Sequence, residues 1–222
     1  MNPLVLAIDT THEFGSLALT RGDAIIEELA LHAPTGFGHV LYGSLGELLN
    51  RHGIAVDAID CFAAASGPGS FTGVRVGLAC VKGLAEAVGK PAVAVSNLQA
   101  LACFGGGPLR AVLLDARRGE IYGAVYDDAA QIVMPEVVSK VADWLGTLPE
   151  GVEFVASDFA AVGEALAGTR FEGARVVTAP RALAGVIGRL AVARMRAGDA
   201  PDPASLDANY VRRADAELFW KE

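Results

Sequence analysis

The feature that most constrains the fold is a strand–turn–strand pattern that occurs in both halves of the chain. In the first half, LAIDTTHEFGSLAL contains an apolar strand that ends in Asp9, a short polar turn and a returning strand. In the second half, LLDARRGEIYGAVY has the same order, with Asp115 near the end of its first strand. Like patterns separated by about half the chain indicate an internal duplication. The sequence therefore predicts two halves of similar fold.

The other apolar patterns extend this duplication. The first half has patterns typical of strands at 4–9, 16–20, 24–31, 60–66 and 92–96, and patterns typical of helices over 36–52 and 71–88. The second half restarts with strands, is shorter and less regular, and includes a long helical pattern over 181–198. We therefore predict an α/β fold of two lobes, with duplicated βββαβαβα halves and a reduced second half. This is the actin-like (ASKHA, RNase H-like) architecture.

The run Gly105-Gly106-Gly107-Pro108 is the strongest candidate for a domain boundary, because glycine and proline interrupt regular structure. We predict an N-terminal lobe of residues 1–104 and a smaller C-terminal lobe with a tail, residues 108–222. The aromatic residues Tyr210, Phe219 and Trp220 predict that the tail packs back onto the body of the protein.

Composition and charge exclude several classes of function. The chain has 222 residues and a formal net charge of −8, which argues against a protein that binds nucleic acid by itself through phosphate neutralisation. The three cysteines are far apart and match no zinc-site spacing, as expected for reduced thiols in the cytosol. The first apolar run has no basic region before it, so we predict no signal peptide, no membrane association and a cytoplasmic location. We expect no cofactor.

The glycine-rich stretch GPGSFTGVRVGL, residues 67–78, has the composition of a phosphate-binding loop but fits neither common form. A P-loop requires Gly-Lys-Ser/Thr, and here Gly73 is followed by Val-Arg. The dinucleotide pattern G-x-G-x-x-G requires a third glycine where Thr72 stands. Because the stretch follows a buried strand, we predict a strand–turn–helix unit in which Ser70 or Thr72 caps the helix.

The helices predicted over 36–52 and 71–88 each have an apolar face and, beside it, a stripe of small residues. Glycine inside a helix costs about 1 kcal/mol relative to alanine, so several such glycines require compensation. Close approach of another backbone would provide it. That backbone could belong to the same chain or to another protein, and we favour the second. The predicted partner-binding residues are His39, Val40, Gly43, Leu45, Gly46, Gly73, Val74, Gly77, Leu78, Cys80 and Val81.

Several of these stretches together resemble one bacterial family over nearly the whole chain. LAIDTT, GFGHVLYGSLGELL, GPGSFTGVR, LLDARRGEIYGAVY and ANYVRR are similar to segments of the TsaB family of tRNA threonylcarbamoyladenosine biosynthesis proteins. The resemblance implies a non-catalytic subunit that pairs with TsaD, which transfers threonylcarbamoyl to the adenosine 3′ of the tRNA anticodon. It also implies that the ATPase TsaE joins the complex and that tRNA is bound only within it. Without TsaD, we expect a homodimer.

Two alternatives within the same superfamily remain open. A catalytic subunit of the TsaD type would hold a metal with a His-x-x-x-His pair, and here His39 is followed four residues later by Gly43. A small actin-like ATPase would bind phosphates at its hairpin turns, usually through Asp-x-Gly-x-Thr/Ser. Neither turn of this chain matches that pattern. We interpret the corresponding positions as a vestigial nucleotide cleft: Asp9, Thr10, Thr11 and Asp115.

Two further expectations concern polar residues at the turns and in the tail. Asp9 is expected to cap or orient its hairpin turn. A set of arginines is expected to contact tRNA in the assembled complex: Arg117, Arg118, Arg212 and Arg213.

Overall fold

The computed structural model describes residues 2–199 and 201–212, and tertiary contacts divide the chain into two compact units. Unit 1 comprises Met1–Asn97 and Arg181–Asn209, and unit 2 comprises Leu98–Pro180 and Tyr210–Glu222. The expectations for Arg213, Phe219 and Trp220 lie outside the described residues. Within the described ranges, no helix has the length and hydropathy needed to cross a membrane.

Unit 1 contains a five-stranded sheet. Its strands are β1 Leu4–Asp9, β2 Phe14–Arg21, β3 Ala24–His32, β4 Cys61–Gly67 and β5 Ala92–Ser96. Their order across the sheet is β3-β2-β1-β4-β5. The first three strands form an antiparallel meander, whereas β4 runs parallel to β1 and β5 runs parallel to β4. Every residue of β1 and of β4 is buried, because both faces of the sheet are covered.

Helices α1, α2 and α6 belong to unit 1. The α-helices of the described residues are α1 Leu41–Arg51, α2 Phe71–Val88, α3 Asn97–Ala102, α4 Val141–Thr147, α5 Ala160–Leu166 and α6 Ala184–Arg196. The apolar faces of α1 and α2 pack in one core cluster with Leu17 and Leu19 of β2. These two helices therefore cover the face of the sheet to which Leu17 and Leu19 project.

Helix α6 packs against the other face of the same sheet. The hydroxyl of buried Ser16 in β2 accepts hydrogen bonds from the backbone N–H groups of Leu183, at 3.1 Å, and Ala184, at 2.9 Å. Further along the helix, a Cβ on Gly188 would lie 2.7 Å from Thr20 Cγ2. Ser16 and Thr20 alternate along β2 with the leucines that face α1 and α2, so α6 lies on the opposite face.

This position of α6 corrects the predicted lobe boundary. Residues 181–209 were expected in the C-terminal lobe, 108–222, and the contacts place them in unit 1. Helical periodicity predicts that a helix has an apolar face, but it does not identify the sheet against which that face packs. The observed division also begins unit 2 at Leu98, before the glycine run at 105–107.

Unit 2 repeats the sheet of unit 1 with shorter helices. Its strands are β6 Leu109–Arg117, β7 Glu120–Asp127, β8 Ile132–Lys140, β9 Glu153–Ala156 and β10 Val176–Thr178. The order is β10-β9-β6-β7-β8, with β6-β7-β8 antiparallel and β6-β9-β10 parallel. Both sheets thus place their first five strands in the same order and directions, which confirms the predicted duplication. Helices α4 and α5 have seven residues each, against 11 in α1 and 18 in α2.

Candidate functional site

The end of β1 takes part in a buried hydrogen-bond network with the ends of β4 and β5. Asp9 Oδ1 accepts bonds from the backbone N–H of Thr11, at 2.9 Å, and from its hydroxyl, at 2.7 Å. The side-chain amide of Asn97 donates to Thr11 Oγ1 at 2.8 Å and to Asp9 Oδ2 at 3.4 Å. Asn97 Oδ1 accepts the N–H of Gly67 at 3.1 Å. Both oxygens of Asp9 are therefore bonded within the chain, and the prediction that Asp9 orients its turn is confirmed.

The glycine-rich stretch starts α2 directly against this turn. Ser70 Oγ accepts the N–H of Gly73 at 3.3 Å, which confirms Ser70 as the helix cap. The Thr10 hydroxyl donates to Gly73 O at 2.7 Å, and Ser70 N–H donates to Thr11 O at 2.6 Å. A Cβ on Gly73 would lie 2.1 Å from Thr10 O, and one on Gly77 would lie 2.6 Å from Thr10 Oγ1. These two glycines therefore allow the helix to approach the strand end.

The four residues interpreted as a vestigial nucleotide cleft differ in their surroundings. Asp9, Thr10 and Thr11 are at most 2% exposed. Asp115 belongs to unit 2, its side chain is 59% exposed, and its Oδ1 accepts the N–H of Arg117 at 2.8 Å. The same local hydrogen bond, in which an aspartate oxygen accepts from the N–H two residues later, thus orients both hairpin turns. The turn in unit 1 is buried at Thr10 and Thr11 and reaches the surface at Glu13, whereas the turn in unit 2 is exposed throughout Arg117, Arg118 and Gly119.

The outward faces of α1 and α2 contain glycines with open space beside them. Of the predicted interface residues, His39, Val40 and Gly43 are exposed, and Gly46 is partly exposed. His39 ends the short 3-10 turn that precedes α1. A Cβ placed on Gly43, Gly46 or, in α2, Gly83 would find no atom of the described chain within 4 Å. These glycines are not required by contacts within the described chain.

Most of the other predicted interface residues lie in the interior of unit 1 and not on its surface. Gly73 is partly exposed but lies against Thr10, as described above. The remaining six are buried in unit 1, because the apolar stripes of both helices face the sheet. They are Leu45, Val74, Gly77, Leu78, Cys80 and Val81.

Two aromatic residues on these helices were missed by the sequence analysis. Tyr42 of α1 is 64% exposed and its phenol forms a hydrogen bond with the Cys80 thiol. Burial raises the pKa of Cys80, and the charge that Cys80 would carry when ionised raises the pKa of Tyr42. Phe71 of α2 is 45% exposed, and the Arg75 guanidinium lies 3.7 Å from its ring centroid. Both aromatic residues fall outside the apolar stripes of their helices. In the sequence, that position was the signal that could have predicted their exposure.

We define the outward face as Val40, Tyr42, Gly43, Gly46, Phe71, Arg75 and Gly83. It combines exposed apolar side chains, one cation and glycines at which another backbone can approach. In contrast, the strand-end network is closed by hydrogen bonds from the chain itself. Among the residues that the structure describes, no group of three or more His, Cys, Asp or Glu side chains is arranged to hold a metal ion.

Comparison with known proteins identifies the family. Residues 38–180 match the family model described as "TsaD: tRNA N6-adenosine threonylcarbamoyltransferase". The tRNA threonylcarbamoyladenosine biosynthesis protein TsaB of Bacillus subtilis is 32% identical over 98% of this chain and 98% of its own length. This chain belongs to the TsaB family.

Further TsaB-family relatives agree with the sequence and the fold. TsaB of Escherichia coli is 31% identical over 60% of this chain and 64% of its own length. The solved structure of YeaZ from Pseudomonas aeruginosa has a TM-score of 0.77 at 23% identity and covers 94% of this chain and 99% of its own. The predicted family and the predicted two-lobed actin-like fold are confirmed.

Proposed function

We propose that this chain acts in tRNA threonylcarbamoyladenosine biosynthesis as a non-catalytic subunit that binds a TsaD-like catalytic subunit. The outward face of α1 and α2 would form the contact. A TsaE-like ATPase would join the assembled complex, tRNA would bind only within it, and the chain alone would form a homodimer. The chain would act in the cytoplasm. The names of its relatives support a function in tRNA threonylcarbamoyladenosine biosynthesis. The outward face supports the role of a subunit that binds a partner.

The observation that carries this proposal is the combination of exposed Tyr42 with open glycines on the same helix. Tyrosine is enriched among the residues that dominate binding energy, because its large ring loses little conformational entropy. Gly43 and Gly46 have no atom near a Cβ position, so each weakens α1 by about 1 kcal/mol without any compensating contact in the described chain. A partner backbone packed on these positions would supply the compensation.

The chemistry of the first hairpin turn supports a non-catalytic role. An actin-like ATPase requires backbone N–H groups at this turn to be available for phosphate. Here the N–H of Thr11 donates to Asp9 Oδ1, and the carbonyls of Thr10 and Thr11 lie against Gly73 and Gly69. The Thr11 N–H is therefore occupied, and the turn presents carbonyl oxygens to the start of α2, an arrangement that does not favour an anion.

The proposal is tested by size exclusion with light scattering on this chain, alone and mixed with the TsaD of the same organism. We expect a stoichiometric complex with the wild-type chain. Tyr42→Ala should weaken the affinity by roughly 30-fold, the effect of losing about 2 kcal/mol at a central interface residue. Gly43→Arg should prevent the complex from forming, because its side chain would occupy the space of the partner backbone.

The matched control is Gly163→Arg in α5 of unit 2, where a Cβ also finds no atom within 4 Å. It should leave the complex intact. If the Gly43→Arg and Gly163→Arg variants bind TsaD equally well, the outward face does not form the contact with TsaD. If the chain ignores TsaD and hydrolyses ATP by itself, the alternative of a small actin-like ATPase replaces the proposal.

A further inference from the structure

A cluster of three planar side chains lies at the surface of unit 1, and none of them belongs to the outward face. Phe14 begins β2 and His32 ends β3, and the two residues are opposite each other in the register of these strands. Their rings are stacked, with centroids 4.4 Å apart and planes inclined by 10°. The Arg181 guanidinium carbon also lies 4.4 Å from the Phe14 ring centroid. We define Phe14, His32 and Arg181 as the planar cluster.

The planar cluster lies at the end of the sheet that favours ligand binding. Strand β2 runs antiparallel to β1, so its first residues lie beside the end of β1, where Asp9 is in register with Ser16. The parallel strands β1, β4 and β5 all end at this edge, and open α/β sheets bind their ligands outside the carboxyl ends of their strands. His32 and Arg181 are exposed, and Phe14 is half-buried. The cluster is therefore accessible from solvent at this edge.

The duplicated fold does not require aromatic residues at these positions. In unit 2 the equivalent strands are β7 and β8, and the corresponding register pair joins Glu120, the first residue of β7, to Lys140, the last residue of β8. The sheet of unit 2 thus has a charged pair where unit 1 has Phe14 and His32. A cross-strand aromatic pair stabilises a sheet, but the comparison shows that this sheet forms without one.

The imidazole of His32 is held in a fixed plane and retains the capacity to bind a ligand. One face of its ring lies on Phe14, which orients the ring before any ligand arrives. Its ring nitrogens form no hydrogen bond with the residues that the structure describes. A side chain that is already oriented loses little conformational entropy when it binds. The ring is therefore suited to stack against a flat ligand that has hydrogen-bonding groups at its edge.

We infer that the planar cluster stacks against an unpaired base of the RNA substrate, an inference that rests on the proposed function. Proteins recognise unpaired bases by stacking them on aromatic rings, including histidine, and on arginine guanidinium planes. The cluster contains both kinds of surface. Stacking uses the face of the base and not its phosphate, so it is compatible with the net charge of −8 of this chain.

A free nucleotide has the same base, but this edge is poorly suited to its phosphates. The Thr11 N–H, in the turn that leads to Phe14, donates to Asp9 Oδ1, and Glu13 is exposed in the same turn. In RNA, the affinity for phosphate can come from other subunits of the complex. A protein partner would need an apolar centre at its interface, whereas the planar cluster exposes polar edges. An RNA base is therefore favoured over a free nucleotide and over a protein surface.

The test measures the affinity of the assembled complex of this chain with TsaD for tRNA across a series of salt concentrations. His32→Ala should lower the affinity roughly tenfold, the loss expected for one stacked base. The slope of log affinity against log salt should not change, because no phosphate contact is removed. His32→Tyr keeps an aromatic ring and should bind almost as tightly as the wild type. The matched control is His52→Ala, which removes a histidine of unit 1 that bonds to Glu27 and should leave the affinity unchanged.

Four results would overturn the inference. Equal tRNA affinity for His32→Ala and the wild type, or an equal loss in His32→Ala and His32→Tyr, would show that His32 does not stack on a base of the RNA. An affinity for AMP that depends on His32 would assign the planar cluster to a free nucleotide. Loss of TsaD binding by His32→Ala, with the control intact, would assign it to a protein surface. Failure of the wild-type chain to bind TsaD would overturn the proposed function as well, and light scattering detects that case before tRNA is added.

Discussion

Two glycines of α2 are expected to differ in their response to alanine substitution: one substitution should raise the free energy of unfolding and the other should lower it. Gly77 and Gly83 are both interior to the helix, so alanine at either position gains about 1 kcal/mol of helix propensity. A Cβ at position 83 finds no atom of the described chain within 4 Å. Gly83→Ala should therefore raise the free energy of unfolding by about 1 kcal/mol.

For Gly77→Ala, the stability gained from helix propensity is smaller than the stability lost through steric crowding. The new Cβ would lie 2.6 Å from Thr10 Oγ1, and forcing an extra methyl group into a packed interior costs about 1–3 kcal/mol. The Thr10 hydroxyl, which donates to Gly73 O at 2.7 Å, would have to move, and that hydrogen bond contributes about 1 kcal/mol. The net expectation is a loss of about 1–3 kcal/mol, so the two variants should differ by about 2–4 kcal/mol.

Urea denaturation followed by circular dichroism measures both values, provided that the slope with denaturant stays constant. Each variant is measured at two protein concentrations, because self-association stabilises the folded state by mass action. If Gly77→Ala is as stable as Gly83→Ala, the contact with Thr10 does not restrict the helix. If Gly83→Ala is destabilised at both concentrations, the outward face is not open as the structure has it.

Three residues of unit 1 carry the further predictions, namely Asn97, Cys61 and Ser70. Asn97→Ala should cost about 2–4 kcal/mol in urea denaturation, because it removes buried partners of Asp9, Thr11 and Gly67. Burial raises the pKa of Cys61 from 9.0 to about 12, so at pH 8 a thiol reagent should label exposed Cys103 and leave Cys61 unlabelled until urea is added. The unfolded chain loses this proton at lower pH than the folded chain, so the contribution of Cys61 to the free energy of unfolding should fall as the pH rises from 9 towards 12. Cys61→Ala should make the decrease in stability over this range less steep, and equal slopes for the variant and the wild type would contradict the burial. Ser70→Ala should lower the free energy of unfolding by about 1 kcal/mol through loss of the α2 cap, measured in the same denaturation assay.

The duplication could be predicted from the sequence because it depends on local patterns. Strand length, the aspartate at or near each strand end and the turn that follows all lie within one short segment. Pairing within each meander then follows from short connections. The position of α6 could not be predicted in this way, since its bonds to Ser16 join residues more than 160 positions apart.

The outward face was predicted only in part, for a physical reason that concerns glycine. Apolar side chains show which face of a helix is buried, whereas a glycine is equally compatible with a tight contact and with open space. Gly77 lies against Thr10 and Gly83 lies beside open space, yet both belong to the same small stripe in the sequence. Tyr42 was the better signal, because a large aromatic outside the apolar stripe of a helix must either reach solvent or meet another protein.

The two hairpin turns show why a motif must be interpreted together with what packs on it. In each unit an aspartate bonds to the N–H two residues later and orients the turn. In unit 1 the next parallel strand leads into the 18-residue helix α2, whose start bonds to Thr10 and Thr11. In unit 2 the equivalent helix, α5, has seven residues, and the turn remains exposed with Arg117 and Arg118 on it. Asp9, Thr10 and Thr11 are thus buried against the start of α2 in one unit, whereas the equivalent turn is an exposed, charged surface in the other.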